Sequence, residues 1–311
     1  MQVGSGSHVY SWNSRWAKIP PHITPGYTHG VGVDRRGRVF VFNQSAHAIL
    51  TFDGDGNFLG TWGGFPSARF LGAHGLTLVN EGDQQFLWLT DQNSAEVVKT
   101  TLDGQTVLSI PRPDHPAYRS NPKYSPTWAD QGPDGTIYVA DGYGQGYVNL
   151  YDNSGKYLDC IDGSRGAGRF NCPHGLAILN RPQATGQTES ALYITDRGNS
   201  RVQVFALDGR FIKSFNQAHP CCFAQHSSGD LLVPDLKAFV ALYDAADSPV
   251  LESLGSQPQI VGQHGWPNVP HSMRVDGKFN SPHGGAFDAA GNIYIVEWIN
   301  DGRITKLTRI A

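Results

Sequence analysis

The chain has 311 residues, a formal net charge of −3, 39% hydrophobic and 16% charged residues. The balance gives no basic field of the kind a phosphate backbone requires, so nucleic acid is not an expected partner. No apolar run approaches the roughly 18 residues of a membrane-spanning helix, so no membrane span is expected.

Glycine (37 residues) and proline (19 residues) imply many tight turns. The four cysteines, Cys160, Cys172, Cys221 and Cys222, are too few to staple a chain of this length and read as reduced thiols. The segment Met1–Ser7 lacks the charged and apolar parts of a secretory signal. A cytoplasmic protein is expected, or a secreted one if a signal peptide has been removed.

Along the chain, one grammar recurs six times. Unit one opens at Thr28-His29-Gly30 and runs through Val39–Phe42. Unit two opens at His74-Gly75-Leu76 and reaches Leu89-Thr90-Asp91. Unit three opens at Pro126-Thr127-Trp128 and reaches Val139-Ala140-Asp141. Unit four opens at His174-Gly175-Leu176 and reaches Ile194-Thr195-Asp196. Unit five opens at Pro220-Cys221-Cys222 and includes Leu231–Asp235. Unit six opens at His283-Gly284-Gly285 and reaches Val296-Glu297. The starts, near 29, 74, 127, 174, 221 and 283, lie about 45 to 62 residues apart, the scale of propeller blades with insertions. Within each unit, β-rich runs alternate with polar turns such as Asp34-Arg35-Arg36-Gly37 and Asp288-Ala289-Ala290-Gly291, four strands to a unit. The expected fold is all-β, a single six-bladed β-propeller over residues 1–311. Unit six is one strand short, and His8–Trp12 is expected to complete it and close the ring. Residues 256–282 form an insertion expected at the rim.

Inner strands of a propeller face a common axis, so equivalent positions face one another. Those positions are His29, His74, Thr127, His174, Cys221 and His283. His74, His174 and His283 share one frame on alternate blades. Three neutral imidazoles spaced in that way predict a divalent metal, most simply Zn2+, with an open coordination position. His29 and Cys221 are pocket candidates beside them. Backbone carbonyls of inner strands, at Val31 and Leu76, are candidate ligands for a structural Ca2+.

These residues resemble the NHL-repeat propellers, and more narrowly the peptidyl-α-hydroxyglycine α-amidating lyases. The resemblance covers nearly the whole chain. It is densest in Val139-Ala140-Asp141-Gly142-Tyr143, Phe170-Asn171-Cys172-Pro173-His174-Gly175-Leu176-Ala177 and Thr195-Asp196-Arg197-Gly198-Asn199-Ser200-Arg201. It implies that His74, His174 and His283 bind zinc, that Tyr143 acts at the substrate hydroxyl, and that Arg197 holds a substrate carboxylate. The implied reaction cleaves the C–N bond of a small α-hydroxy amide, or carbinolamide, releasing an amide and an α-oxo acid such as glyoxylate. The chain also departs from the family. A second substrate arginine of blade one is replaced in Phe42-Asn43-Gln44-Ser45-Ala46, which makes Gln44 a pocket candidate. The acidic residue after the blade-six histidine is Gly284, and the cysteine after the tyrosine is Gly144. His29 and Trp298 are additions to the pocket. The alternatives are a metal-dependent hydrolase at the same site and a non-catalytic NHL binding platform. Gluconolactonase-like propellers use carboxylate and asparagine ligands, against which the His-Gly frames argue.

Overall fold

The structure, a computed structural model, describes residues 1–63, 70–182 and 188–310. It is a six-bladed β-propeller, built from six antiparallel sheets in the order read from the sequence. By contacts the chain divides into two compact units, residues 1–71 with 223–311 and residues 72–222, each containing three sheets.

In the second unit, blade two comprises Ala73–Glu81, Gln84–Asp91, Glu96–Thr101 and Thr106–Ser109. Blade three comprises Trp128–Gln131, Ile137–Ala140, Val148–Tyr151 and Tyr157–Ile161. Blade four comprises Pro173–Pro182, Thr188–Asp196, Arg201–Ala206 and Phe211–Asn216. Second strands such as Ile137–Ala140 are buried along their whole length. They have blades on both faces and so read as unbroken apolar runs. Outer strands such as Phe211–Asn216 alternate because only one face is covered. Trp128, Tyr138, Leu176, Leu192 and Phe205 form one of the interblade cores.

In the first unit, blade one comprises Thr28–Val33, Val39–Asn43, Ile49–Phe52 and Phe58–Trp62. Blade six takes Pro282–Phe287, Ile293–Glu297 and Ile304–Arg309 from the C-terminal end. His8–Asn13 pairs with its last strand, Tyr10 opposite Arg309, which is the closure expected from the sequence. Gln2–Ser5 adds a fifth strand outside it. In blade five the inner strand shrinks to Ala224–Gln225. This corrects the placement of Cys221 on an inner strand: it precedes the strand as a buried residue without regular structure. A five-residue helix, Pro116–Ser120, precedes blade three, too short for its periodicity to show in the sequence. In the insertion, Ile260 and Val269 bury against Ala238.

The turn grammar has a direct cause. In Asp288-Ala289-Ala290-Gly291, the Asp288 carboxylate accepts the N–H of Ala290 and of Asn292, both at 3.0 Å, and Gly291 adopts φ 78°. Only glycine takes that conformation at no steric cost.

In four blades the acidic residue ending the second strand has a different role: it latches the chain just before the inner strand of its own blade. Asp91 accepts from Gly72 N (2.8 Å), Asp141 from Ser125 N (2.7 Å), Asp196 from Asn171 N (2.7 Å) and Glu297 from Asn280 N (2.6 Å). Asn43 does the same for Gly26 N at 3.0 Å. The Asp196 carboxylate, fully buried, also accepts from Arg201 Nε at 2.6 Å. Removing it strands a buried N–H and a charged guanidinium, so Asp196→Ala is expected to cost about 3 kcal/mol by urea unfolding. The exposed turn acid replaced in Asp208→Ala is expected to cost less than about 1 kcal/mol, and equal losses would contradict the latch.

Candidate functional site

The latched inner strands place the histidines. His74 Nδ1 lies 2.7 Å from the Thr127 carbonyl oxygen, and His174 Nδ1 lies 2.8 Å from that of Cys221. In the first unit, His283 Nδ1 lies 2.9 Å from the His29 carbonyl oxygen. A carbonyl only accepts, so each Nδ1 must carry the proton and each Nε2 becomes the lone-pair nitrogen. Metal-ligating histidines are oriented in this way.

The glycine after each histidine is part of the same device. A Cβ at Gly75 would stand 2.5 Å from the Thr127 oxygen, at Gly175 2.2 Å from the Cys221 oxygen, and at Gly284 2.4 Å from the His29 oxygen. The carbonyl can approach the imidazole only because the next residue has no side chain. Two threonines missed in the sequence complete the arrangement: Gly75 N donates to Thr90 Oγ1 and Gly175 N to Thr195 Oγ1.

Four expected site residues meet in the second unit. The His74 and His174 rings lie 4.6 Å apart, both fully buried. Tyr143 Oη is 3.3 Å from His74 Nε2 and 3.0 Å from His174 Nε2. Arg197, in a 3-10 turn after the blade-four second strand, donates from Nη2 to Tyr143 Oη at 3.0 Å and approaches Cys172 Sγ at 3.5 Å. Among the described residues no carboxylate pairs with Arg197. Its neighbour Asp196 is saturated by Arg201, Asn199, Gln203 and Asn171.

The electrostatics qualify the role of Tyr143. Burial pushes its phenol up to about 12, and Arg197 opposes the shift without cancelling it. In the metal-free protein the Tyr143 phenol is therefore neutral. Burial works against the Arg197 charge, but Tyr143, Cys172 and Cys221 hold the guanidinium above its ordinary range. Burial also raises the Cys172 thiol, again against Arg197.

The first unit holds His29, Val31, Gln44, His283 and Trp298, and the second holds Leu76 and Cys221. His29 and His283 stack edge to face, with centroids 4.5 Å apart. His29 Nδ1 faces the Tyr27 carbonyl at 3.2 Å, and that oxygen also accepts from Gln44 N at 2.9 Å. Trp298 stands between Tyr27 (5.7 Å) and Trp266 (6.0 Å), so it belongs to an aromatic cluster with the insertion. Val31 and Leu76 sit in inner strands opposite Val41 and Leu89. Cys221 supplies its carbonyl to His174. His29, His74, His174, Cys221 and His283 are buried groups able to offer a ligand atom to a metal.

The sequence reading quoted Cys172 without assigning it and passed over Lys123. Both line a cavity of about 400 Å3 with Tyr143, Gln145, Phe170 and Asn171. The only signal was the glycine density of Gly142-Tyr143-Gly144-Gln145-Gly146, which forms the wall beside Tyr143.

The chain is an NHL-like six-bladed β-propeller that resembles peptidyl-α-hydroxyglycine α-amidating lyases. It is 26% identical over 295 residues to human "NHL repeat-containing protein 3", covering 87% of this chain and 79% of that protein. A Caenorhabditis elegans protein named "Probable peptidyl-alpha-hydroxyglycine alpha-amidating lyase" is 29% identical over 148 residues, 46% of this chain and 39% of its own length. Among solved structures, a gluconolactonase of Xanthomonas campestris superposes with a TM-score of 0.61 over 92% of this chain and 86% of its own, at 15% identity, a likeness of fold alone. No family model matches the chain.

The neutral phenol is directly testable by NMR with ring-labelled tyrosine. In metal-free protein, the resonance lost in Tyr143→Phe should show no titration below pH about 10. Arg197→Gln should move that titration upward, because it removes the group that favours the phenolate. A phenolate at pH about 8 would contradict this electrostatic account.

Proposed function

We propose that the protein is a metal-dependent lyase acting on a small carbinolamide-type substrate that carries a carboxylate. The observation that carries this reading is the convergence on one phenolic oxygen of two Nε2 lone pairs and an arginine with no carboxylate partner among the described residues. His74 and His174 would hold the metal, with His283 as third ligand, since its Nδ1 is turned by a carbonyl in the same way. Neutral imidazoles with preset Nε2 atoms fit zinc. When bound, zinc supplies a Lewis acid that lowers the pKa of the substrate hydroxyl.

The chain's own residues would carry the rest. Arg197 offers a planar pair of N–H donors to the substrate carboxylate. Tyr143, a neutral phenol, suits a proton relay: it accepts the hydroxyl proton of the carbinolamide and donates its own to the departing nitrogen. The C–O bond becomes C=O, the C–N bond breaks, and an amide and an α-oxo acid leave. No water or redox partner is consumed.

Elemental analysis of the purified protein should find one zinc per chain, lost in His174→Ala with the fold retained by circular dichroism. With N-acyl-α-hydroxyglycines as substrates, glyoxylate release should fall about 100-fold or more in Tyr143→Phe, as for loss of a proton-transfer group. Arg197→Ala should raise KM about 10-fold or more. Ammonia or a free acid in place of an amide product would favour the hydrolase, and absence of both metal and turnover would favour a binding platform.

A further inference from the structure

The cavity beside Tyr143 has an electrostatic asymmetry that the proposed reaction does not use. Lys123 stands on its rim, exposed, and among the described residues its ammonium has no hydrogen-bond or ion-pair partner. Arg197, reached through Tyr143 and Cys172 of the same wall, has no carboxylate partner either. The two acids that fix these loops, Asp141 and Asp196, are already engaged. Asp141 accepts from Ser125 N (2.7 Å), Gln145 N (2.7 Å) and Tyr118 Oη (2.8 Å), and the Lys123 ammonium acts on it only through space, as the smallest of the influences on its carboxyl. Asp196 is filled by Arg201, Asn199, Gln203 and Asn171.

Lys123 is also held in place. Its loop is fastened to the turn that carries Tyr143: Gln145 Nε2 donates to the carbonyls of Ala117 (3.2 Å) and Asn121, and Asp141 takes Ser125 N. Arg112 donates to the Pro122 carbonyl, and Lys123 N to Asn121 Oδ1 at 3.2 Å. The ammonium is thus carried on a backbone fixed relative to the phenol. A cavity of about 400 Å3 exceeds what one carboxylate fills, since a water occupies roughly 30 Å3 of liquid.

We propose that Lys123 is a specificity-determining residue that binds a second anionic group on the acyl side of the substrate, so that the preferred substrates are dianions. The carboxylate of the reacting end goes to Arg197, and the acyl chain runs through the cavity past Phe170 to the rim. This rests on the lyase reading of the site for which end reacts, but its own test is equilibrium binding and needs no turnover.

The probes are two unreactive glycine derivatives of matched length, N-succinylglycine and N-butanoylglycine, compared by isothermal titration calorimetry at low salt. The wild-type protein should bind N-succinylglycine about five-fold more tightly, the scale of one exposed ion pair. Lys123→Gln should remove that preference while leaving N-butanoylglycine affinity unchanged, and Lys123→Arg should restore it. Arg197→Gln should weaken both ligands. Equal wild-type affinities, or a preference that survives Lys123→Gln, would overturn the proposal and leave the lyase reading, judged by glyoxylate release, standing. Binding of neither ligand would overturn the proposal and the carboxylate role of Arg197 together.

Discussion

The contact on which the site depends is that between an imidazole Nδ1 and a backbone carbonyl in, or just before, the neighbouring inner strand. It occurs at Thr127, at Cys221 and at His29, with distances of 2.7 to 2.9 Å. Each contact fixes a tautomer and turns an Nε2 lone pair in a defined direction. It requires a glycine after the histidine, because a Cβ there would overlap the accepting oxygen. It requires too that the inner strand begin at a fixed point, which the acidic latches of blades two, four and six supply. Fold and chemistry therefore share one set of atoms.

Tyr143 and Arg197 are placed by the same latches. Tyr143 follows Asp141 by two residues and Arg197 follows Asp196 by one, so each functional side chain projects from the turn directly after a buried, saturated carboxylate. The acids hold the turns, and among the described residues no carboxylate pairs with the arginine. Burial raises the Tyr143 phenol against the single cation beside it.

The relatives agree with this division between scaffold and site. Identity of 26% to an NHL-repeat protein extends along most of the chain, whereas the match to a protein named as an amidating lyase covers 46% of it. A propeller framework is shared widely, and activity belongs to the few side chains grafted on it. Gln44, Gly144 and Gly284 stand where the resemblance would place an arginine, a cysteine and an acid, so the pocket has its own character.

Read alone, the sequence determined the blade count, the completion of blade six by His8–Trp12 and the shared His-Gly frames. Those features are periodic, and periodicity needs no knowledge of distance. It did not determine why the second strands end in an acid, since a latch is visible only once Asp196 and Asn171 are seen to meet across 25 positions. It misplaced Cys221, because the two-residue inner strand of blade five carries too little pattern to register. It could not set the charge state of Tyr143, which depends on how much water is excluded and which cation is near. Lys123 was invisible for the same reason: an exposed lysine in a loop has no signature until the loop is fastened beside the phenol. Pattern is local and one-dimensional, whereas tautomer, desolvation and convergence are properties of three-dimensional neighbours.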